Sequence, residues 1–353
     1  MEEIAVLVDE MFARGIGSGA ALSIGDNGRE VERMFRGTTR RVPSPGRPVD
    51  EHTWFDVASL TKPMATVACA MVLVGEGALD LDAPIRSFLP LASSTGTVHQ
   101  LLGHGAGCAA HVEFFKELRA NPPADPRAAL VDMAAAVPAL EPGKTCVYSD
   151  LGYIILGAIV ERASNLPLEQ AFATLVGDPL SIGARYGAEP ELSVATEQDV
   201  RGVVQGEVHD ENAWYGGRVC GHAGLFARLD DVSAFASAIL DTASGTPRGR
   251  LKTEIVNRFL DESAVPGASW RLGWDTPSRT PGISHAGDRW PRAHSAGHLG
   301  FTGVSLWLDL PRRRWVTLLT NRVHPTRFGD SPDAIKALRR GVNDAAIDTL
   351  SPE

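Results

Sequence analysis

Strand-like runs stand at both ends of this chain, and helix-like runs fill its middle. Near the N-terminus, Gly19 to Gly25 and Glu30 to Phe35 read as strands around the turn Asp26-Asn27-Gly28. Toward the C-terminus, Trp270 to Trp274, Gly303 to Asp309 and Trp315 to Asn321 read as strands. Between them, from Lys62 to about Pro179, helical periodicity dominates, most clearly over Ala128 to Val137 and Leu151 to Ala163. Helices are also expected over Ile4 to Ala13, Val232 to Leu240, and Pro332 to Val342, with Gly341 near the end of the last. A sheet built from both ends of the chain, with a helical domain inserted, satisfies this order. The expected division is 1–58 with 225–353 as the sheet domain and 59–224 as the mainly helical one. At 353 residues the chain is comfortable for two such units.

Ser59-Leu60-Thr61-Lys62 lies where the extended run Thr53 to Ala58 gives way to the apolar segment Pro63 to Leu73. That segment reads as a buried helix, with Pro63 where its first turn tolerates proline. A serine at a helix start sits near unpaired backbone N–H groups and the positive end of the dipole. A lysine three residues on returns to the same face. An amine beside a hydroxyl is what a serine nucleophile needs when no histidine activates it. The competing reading makes Ser59 a helix cap and Lys62 a solvated charge.

Two downstream elements complete a pattern. Tyr148-Ser149-Asp150 precedes the apolar run Leu151 to Val160, and His298-Leu299-Gly300 precedes the alternating run Val304 to Leu308. Ser-x-x-Lys, Tyr-x-Asn/Asp and Lys/His-x-Gly in this order resemble the signature of the serine β-lactamase and penicillin-binding-protein superfamily. The closer resemblance is to its class C β-lactamase, D,D-carboxypeptidase and family VIII esterase branch, and it runs from about Gly19 to Pro325. It implies an α/β (α+β) fold of β-lactamase/transpeptidase type: an antiparallel sheet flanked by helices, plus an all-helical domain, with the site in the cleft between them.

The resemblance also implies roles. Ser59 would be acylated, and Lys62 would help take its proton, with a pKa expected to fall through burial and like-charge neighbours. Tyr148 would act with Lys62 as general base and then return the proton to the leaving group. His298 would stabilise the phenolate or a substrate carboxylate, with His294 as a nearby rival. The backbone N–H groups of Ser59 and Phe301 would form the oxyanion hole. Gly300 would let the backbone approach the substrate closely.

Two residues depart from the pattern. Asp150 replaces the commoner asparagine, and an ionised aspartate only accepts hydrogen bonds. It either pairs with Lys62 or caps the following helix. Leu299 replaces the usual threonine, removing a hydroxyl that would meet a substrate carboxylate. Both favour neutral esters or amides over penicillin-like substrates.

Val208 to Trp214, with Gly221 to Phe226, resembles a subgroup of uncharacterised or peptidoglycan-linked members. Its His209, Asp210 and Glu211 read as a bonded loop shaping the cleft rather than as metal ligands. His104, in the Leu101 to Gly107 turn, reads as structural, fixing a loop near the nucleophile.

A net charge of −9, with no basic stripe, gives no support for nucleic-acid binding. No apolar run reaches the ~20 residues that cross a bilayer. The start, Met1 to Val6, lacks the basic and apolar regions of a secretory signal. Cys69, Cys108, Cys146 and Cys220 have no zinc-like spacing. A reduced cytoplasmic enzyme without metal or cofactor is expected, acting on a small-molecule ester, amide or peptide; a protein whose signal has been removed is the alternative. The competing functions are a β-lactamase or peptidoglycan-related D,D-peptidase, and a catalytically silent binding homologue. The sequence sets no oligomeric state.

Overall fold

The two ends of the chain meet in one sheet. A computed structural model describes residues 1–329 and 332–350. Its strands are β1 (Gly19–Asp26), β2 (Arg29–Gly37), β3 (Phe55–Asp56), β4 (Arg185–Tyr186), β5 (Ala195–Asp199), β6 (Gly202–Gln205), β7 (Leu225–Ala227), β8 (Ser295–Leu299), β9 (Ser305–Asp309) and β10 (Arg314–Thr320). The principal sheet has the order β2-β1-β10-β9-β8, and every pairing in it is antiparallel. The N-terminal hairpin joins the C-terminal meander from Ala20 opposite Thr320 to Gly25 opposite Trp315. Smaller sheets have the orders β3-β7-β4 and β5-β6.

Alternation along β10 shows how the sheet is covered on both faces. Trp315 and Leu319 point into the larger core, with the helices Ala68–Gly75, Asp150–Ser164 and Leu229–Ala243. Val316 and Leu318 point the other way, onto Ile4, Val8 and Met11 of the N-terminal helix Glu2–Ala13 and Leu338 and Val342 of the C-terminal helix Pro332–Leu350. A period of two gives each strand one side chain per face in turn, so both layers bury apolar area.

Three readings need correction. Trp270 to Trp274 is not a strand. Gly273 turns at φ +93°, the Leu272 N–H donates to the Phe259 carbonyl, and Trp274 stacks on Phe235 at 6.1 Å. Only Asp275 reaches the sheet, through a single bridge to Gly297. The aromatic residues there serve packing. The C-terminal helix continues to Leu350, well past Gly341. A Cβ at that glycine would lie 2.9 Å from Leu7, so it marks a close helix crossing rather than a stop. Finally, the segment after Ser59 is not one regular helix. A 3-10 turn over Ala58–Leu60 leads into a π-helical turn over Lys62–Val67, and α-helix begins at Ala68.

By length and composition Ala58–Gly75 could cross a membrane, but 83% of that window is buried inside the fold.

Candidate active site

Ser59 sits at an irregular point of the backbone. Ala58, just before it, has φ +47°, a conformation costing a non-glycine residue about 1–3 kcal/mol. Asp56 holds it there: one carboxylate oxygen accepts the Ala58 N–H at 2.8 Å and the other the His209 N–H at 2.7 Å. Burial raises the pKa of Asp56, and these two amides oppose the shift. The 3-10 turn over Ala58–Leu60 places the third residue on over the serine, and so returns Lys62, which is fully buried, to its side. Its ammonium donates to Ser59 Oγ at 3.0 Å, Asp150 Oδ1 at 2.7 Å and the His222 carbonyl at 3.2 Å.

Asp150 therefore takes the first of its two readings. It pairs with Lys62, while Ser149 caps the helix by accepting the Gly152 N–H at 3.0 Å. Burial works against the charge on Lys62, but Asp150 and Tyr148 outweigh it and raise the lysine's pKa. The expectation of a lowered lysine pKa is thus overturned: its nearest charged neighbour is an anion. Burial also opposes ionisation of Asp150, yet Lys62 and His111 hold it below the usual carboxylate range.

Tyr148 is positioned by His104. The His104 ring accepts the Ser149 N–H at 3.1 Å through Nδ1, and the His104 backbone carbonyl accepts the Val147 N–H at 3.0 Å. The tyrosine ring lies between His104, Trp270 and His298, with centroids 4.7, 5.0 and 5.9 Å away. Lys62 Nζ lies 4.9 Å from the centre of that ring. Burial, reinforced by Asp150, raises the phenol's pKa despite the lysine's opposing field. Resting Tyr148 is a neutral phenol.

His298 is the next-to-last residue of β8, on the opposite wall. Its Nδ1 lies 2.8 Å from the Leu299 carbonyl, which only accepts, so the proton belongs on Nδ1. Nε2 is buried, has no partner among the described residues, and is left as an acceptor. Burial and the Lys62 charge pull the imidazole's pKa down to about 3. As a neutral acceptor His298 brings no positive charge to a substrate carboxylate. Gly300 follows, pressed so close that a Cβ would lie 2.6 Å from the Val57 carbonyl. Among the described residues, no acceptor engages the N–H of Ser59 or of Phe301.

These groups face a cavity of about 610 Å³, lined by Ser59, Tyr148, Asp150, His298, Leu299, Gly300 and Phe301 among others. Lys62 lies just beneath its floor. His294 is absent from the lining; it stands outside β8, with φ +55°.

His111 and the packing role of Trp270 escaped the sequence reading, whereas His222 belongs to its Gly221 to Phe226 motif. His111, half exposed, brings Nδ1 to 3.5 Å from Asp150 Oδ2. His222 Nε2 lies 3.0 Å from Asp210 Oδ1. Burial opposes the charge on His222, but Cys220 and Asp210 raise its pKa well above the ordinary value. Trp270 had been assigned to a strand. The His209, Asp210, Glu211 cluster is divided among different partners: His209 Nε2 lies 2.9 Å from Glu197, Asp210 caps a short helix and meets His222, and Glu211 pairs with Arg327 at 2.7 Å. The His209 ring stacks on Phe301 at 5.7 Å. Among the described residues no cluster of three ligand-type side chains could hold a metal ion.

Comparison with known proteins gives a consistent result. A family model described as Beta-lactamase matches residues 7–339. An N-acetylmuramyl-L-alanine amidase of Bacillus subtilis (strain 168) is 28% identical over 359 residues, covering 90% of this chain and 80% of the relative. A putative D-alanyl-D-alanine carboxypeptidase of Salmonella enteritidis PT4 is 28% identical over 311 residues, covering 77% and 70%. The fold superposes on a class C beta lactamase from Rhodobacter sphaeroides with a TM-score of 0.73 at 17% identity, covering 99% of this chain and all of the other.

Proposed function

The chain belongs to the Beta-lactamase family, a family of hydrolases, and from that premise we propose that it is a serine hydrolase working through an acyl-Ser59 intermediate. The observation that carries this reading is the contact of Lys62 Nζ with both Ser59 Oγ and Asp150 Oδ1, beneath a cavity that Tyr148 and His298 also line.

Chemistry follows from the charges. Lys62 is an ammonium with no lone pair to offer, and Asp150, held by that ammonium below the usual carboxylate range, is too weak a base to take the serine proton. The reactive form carries Tyr148 as phenolate, stabilised by the lysine. Ser59 Oγ attacks the substrate carbonyl carbon while its proton passes to the Tyr148 oxygen. The carbonyl oxygen becomes an oxyanion facing the Ser59 and Phe301 N–H groups. Collapse expels the leaving group, which takes the proton back from Tyr148. Water then repeats the sequence on the acyl-enzyme and frees Ser59. His298 accepts a hydrogen bond at Nε2, from the phenol or from a substrate N–H.

The substrate is a small ester, amide or peptide. Leu299 and Asp150, both on the cavity wall, disfavour a carboxylate beside the scissile bond. A second reading, an amidase or D,D-peptidase acting on cell-wall peptides, draws on the names of the two relatives and on a cavity larger than a short ester needs. The sheet unit is 1–58 with 225–353, the helical unit is 59–224, and their cleft holds the site. The four cysteines are unpaired, which supports a reducing compartment such as the cytoplasm.

Turnover of p-nitrophenyl esters, D-amino-acid amides and nitrocefin separates the readings. Esters turned over best support a general small-substrate hydrolase, and D-amino-acid amides turned over well above esters support the cell-wall reading. Nitrocefin turned over faster than p-nitrophenyl butyrate overturns the argument from Leu299 and Asp150.

A further inference from the structure

Arg339 is buried at the back of the cavity wall, on the C-terminal helix, and among the described residues no carboxylate pairs with it. A buried cation without a counter-ion is costly and needs other compensation. Here a single nitrogen, Nη2, donates to the Gly300 carbonyl at 2.7 Å and the Val304 carbonyl at 2.8 Å. These two residues bracket the turn after β8. Gly300 N–H also donates to the Val304 carbonyl at 2.8 Å, and Gly303 N–H to the Gly300 carbonyl at 3.0 Å. Arg322 holds the next two carbonyls, Phe301 through Nε at 2.9 Å and Thr302 through its N–H at 2.8 Å.

The Gly300 carbonyl and the Phe301 N–H belong to one planar trans peptide, so they point in opposite directions. Fixing the oxygen fixes where the N–H points. Donation from a charged group also polarises that peptide and makes its N–H a stronger donor.

We propose that Arg339 is a positioning residue for the oxyanion hole: its guanidinium orients and polarises the Gly300–Phe301 peptide so that the Phe301 N–H faces the developing oxyanion. This rests on the acyl-Ser59 reading. The guanidinium's hydrogen bonds go to the Gly300 and Val304 carbonyls, and it acts through the backbone. Burial, with Arg322 nearby, pulls its pKa down to about 9, and it remains cationic at neutral pH. Glycine at 300 belongs to the same device, since a Cβ there would lie 2.4 Å from a Val304 methyl and force the turn open.

The test compares Arg339→Met and Arg339→Lys with the wild type for kcat and KM on p-nitrophenyl butyrate, and for inhibition by a phenylboronic acid, whose tetrahedral adduct mimics the oxyanion. Removing an oxyanion donor outright costs about 10²–10³ in kcat. Misorienting one should cost Arg339→Met about 10- to 100-fold in kcat, with KM changing by less than about threefold. Boronate affinity should fall by the same factor as kcat/KM, and Arg339→Lys, which keeps the charge and one donor, should fall between. If Arg339→Met does not fold, the lysine variant alone carries the comparison. Unchanged turnover in either folded variant, or lost turnover with unchanged boronate affinity, overturns the proposal. If Ser59→Ala is still active, the acyl-Ser59 reading falls and takes this one with it. If Ser59→Ala is dead while Arg339→Met matches the wild type, only this inference falls.

Discussion

Lys62 and Asp150 form a 2.7 Å ion pair at the base of the cavity, and the same lysine nitrogen lies 3.0 Å from the Ser59 hydroxyl. The pair fixes the protonation pattern of the site. An ammonium held by a carboxylate is no base at rest, so the serine proton must go to Tyr148.

The first expectation concerns pH. Only the Tyr148 phenolate takes a proton, and burial raises that phenol above its ordinary value. The phenolate fraction therefore grows with pH throughout the neutral range. Ester kcat/KM, corrected for background hydrolysis, should rise about tenfold per pH unit from 7 to 9. Asp150 opposes ionisation of Tyr148 and keeps Lys62 charged. In Asp150→Asn the rising limb should move to lower pH, and stability should fall by up to about 3 kcal/mol because buried Lys62 loses its partner. A wild-type plateau centred on pH 7 would contradict this assignment.

Tyr148→Phe keeps the ring among His104, Trp270 and His298 but removes the phenol oxygen. A positioned acid–base group contributes about 10²–10⁴ in rate. The variant should lose at least ~10²-fold in kcat with KM little changed. A near-normal rate would make Tyr148 a packing residue.

Acid stability should depend on Glu197. Burial opposes its charge, but His209 and Arg327 hold its pKa at about 2, against an ordinary 4.5. A carboxyl whose folded pKa is depressed stabilises the fold fully above its unfolded pKa, and that share disappears as pH falls toward the folded value. Urea midpoints of the wild type should therefore drop between pH 5 and 2, and Glu197→Gln should flatten that drop. Parallel curves for the two proteins would refute the assignment.

The parts of this molecule legible in its sequence are those set by local pattern. The β1–β2 hairpin was readable because Asn27-Gly28 accepts the positive φ that its turn demands. That Ser59, Lys62, Tyr148 and His298 would lie together was legible because their three motifs, in order, resemble one family's signature. What escaped depends on long-range contact. His111 meets Asp150 only after the chain folds back. The Lys62 shift was misread although Asp150 stood as one candidate partner, because only the fold brings that carboxylate, 88 positions away, within 2.7 Å of the ammonium. Trp270 to Trp274 has the composition of a strand, yet it is a loop packed by its aromatic rings. Arg339 carries no motif, and its importance lies in two carbonyls on a distant turn.

The central claim is that Ser59 becomes acylated. Intact-mass measurement of wild type and Ser59→Ala after treatment with a fluorophosphonate tests it most directly. The expected result is one covalent adduct on the wild type, none on the variant, and loss of ester turnover with the fold retained. An adduct that persists on Ser59→Ala would put the nucleophile elsewhere and contradict the account.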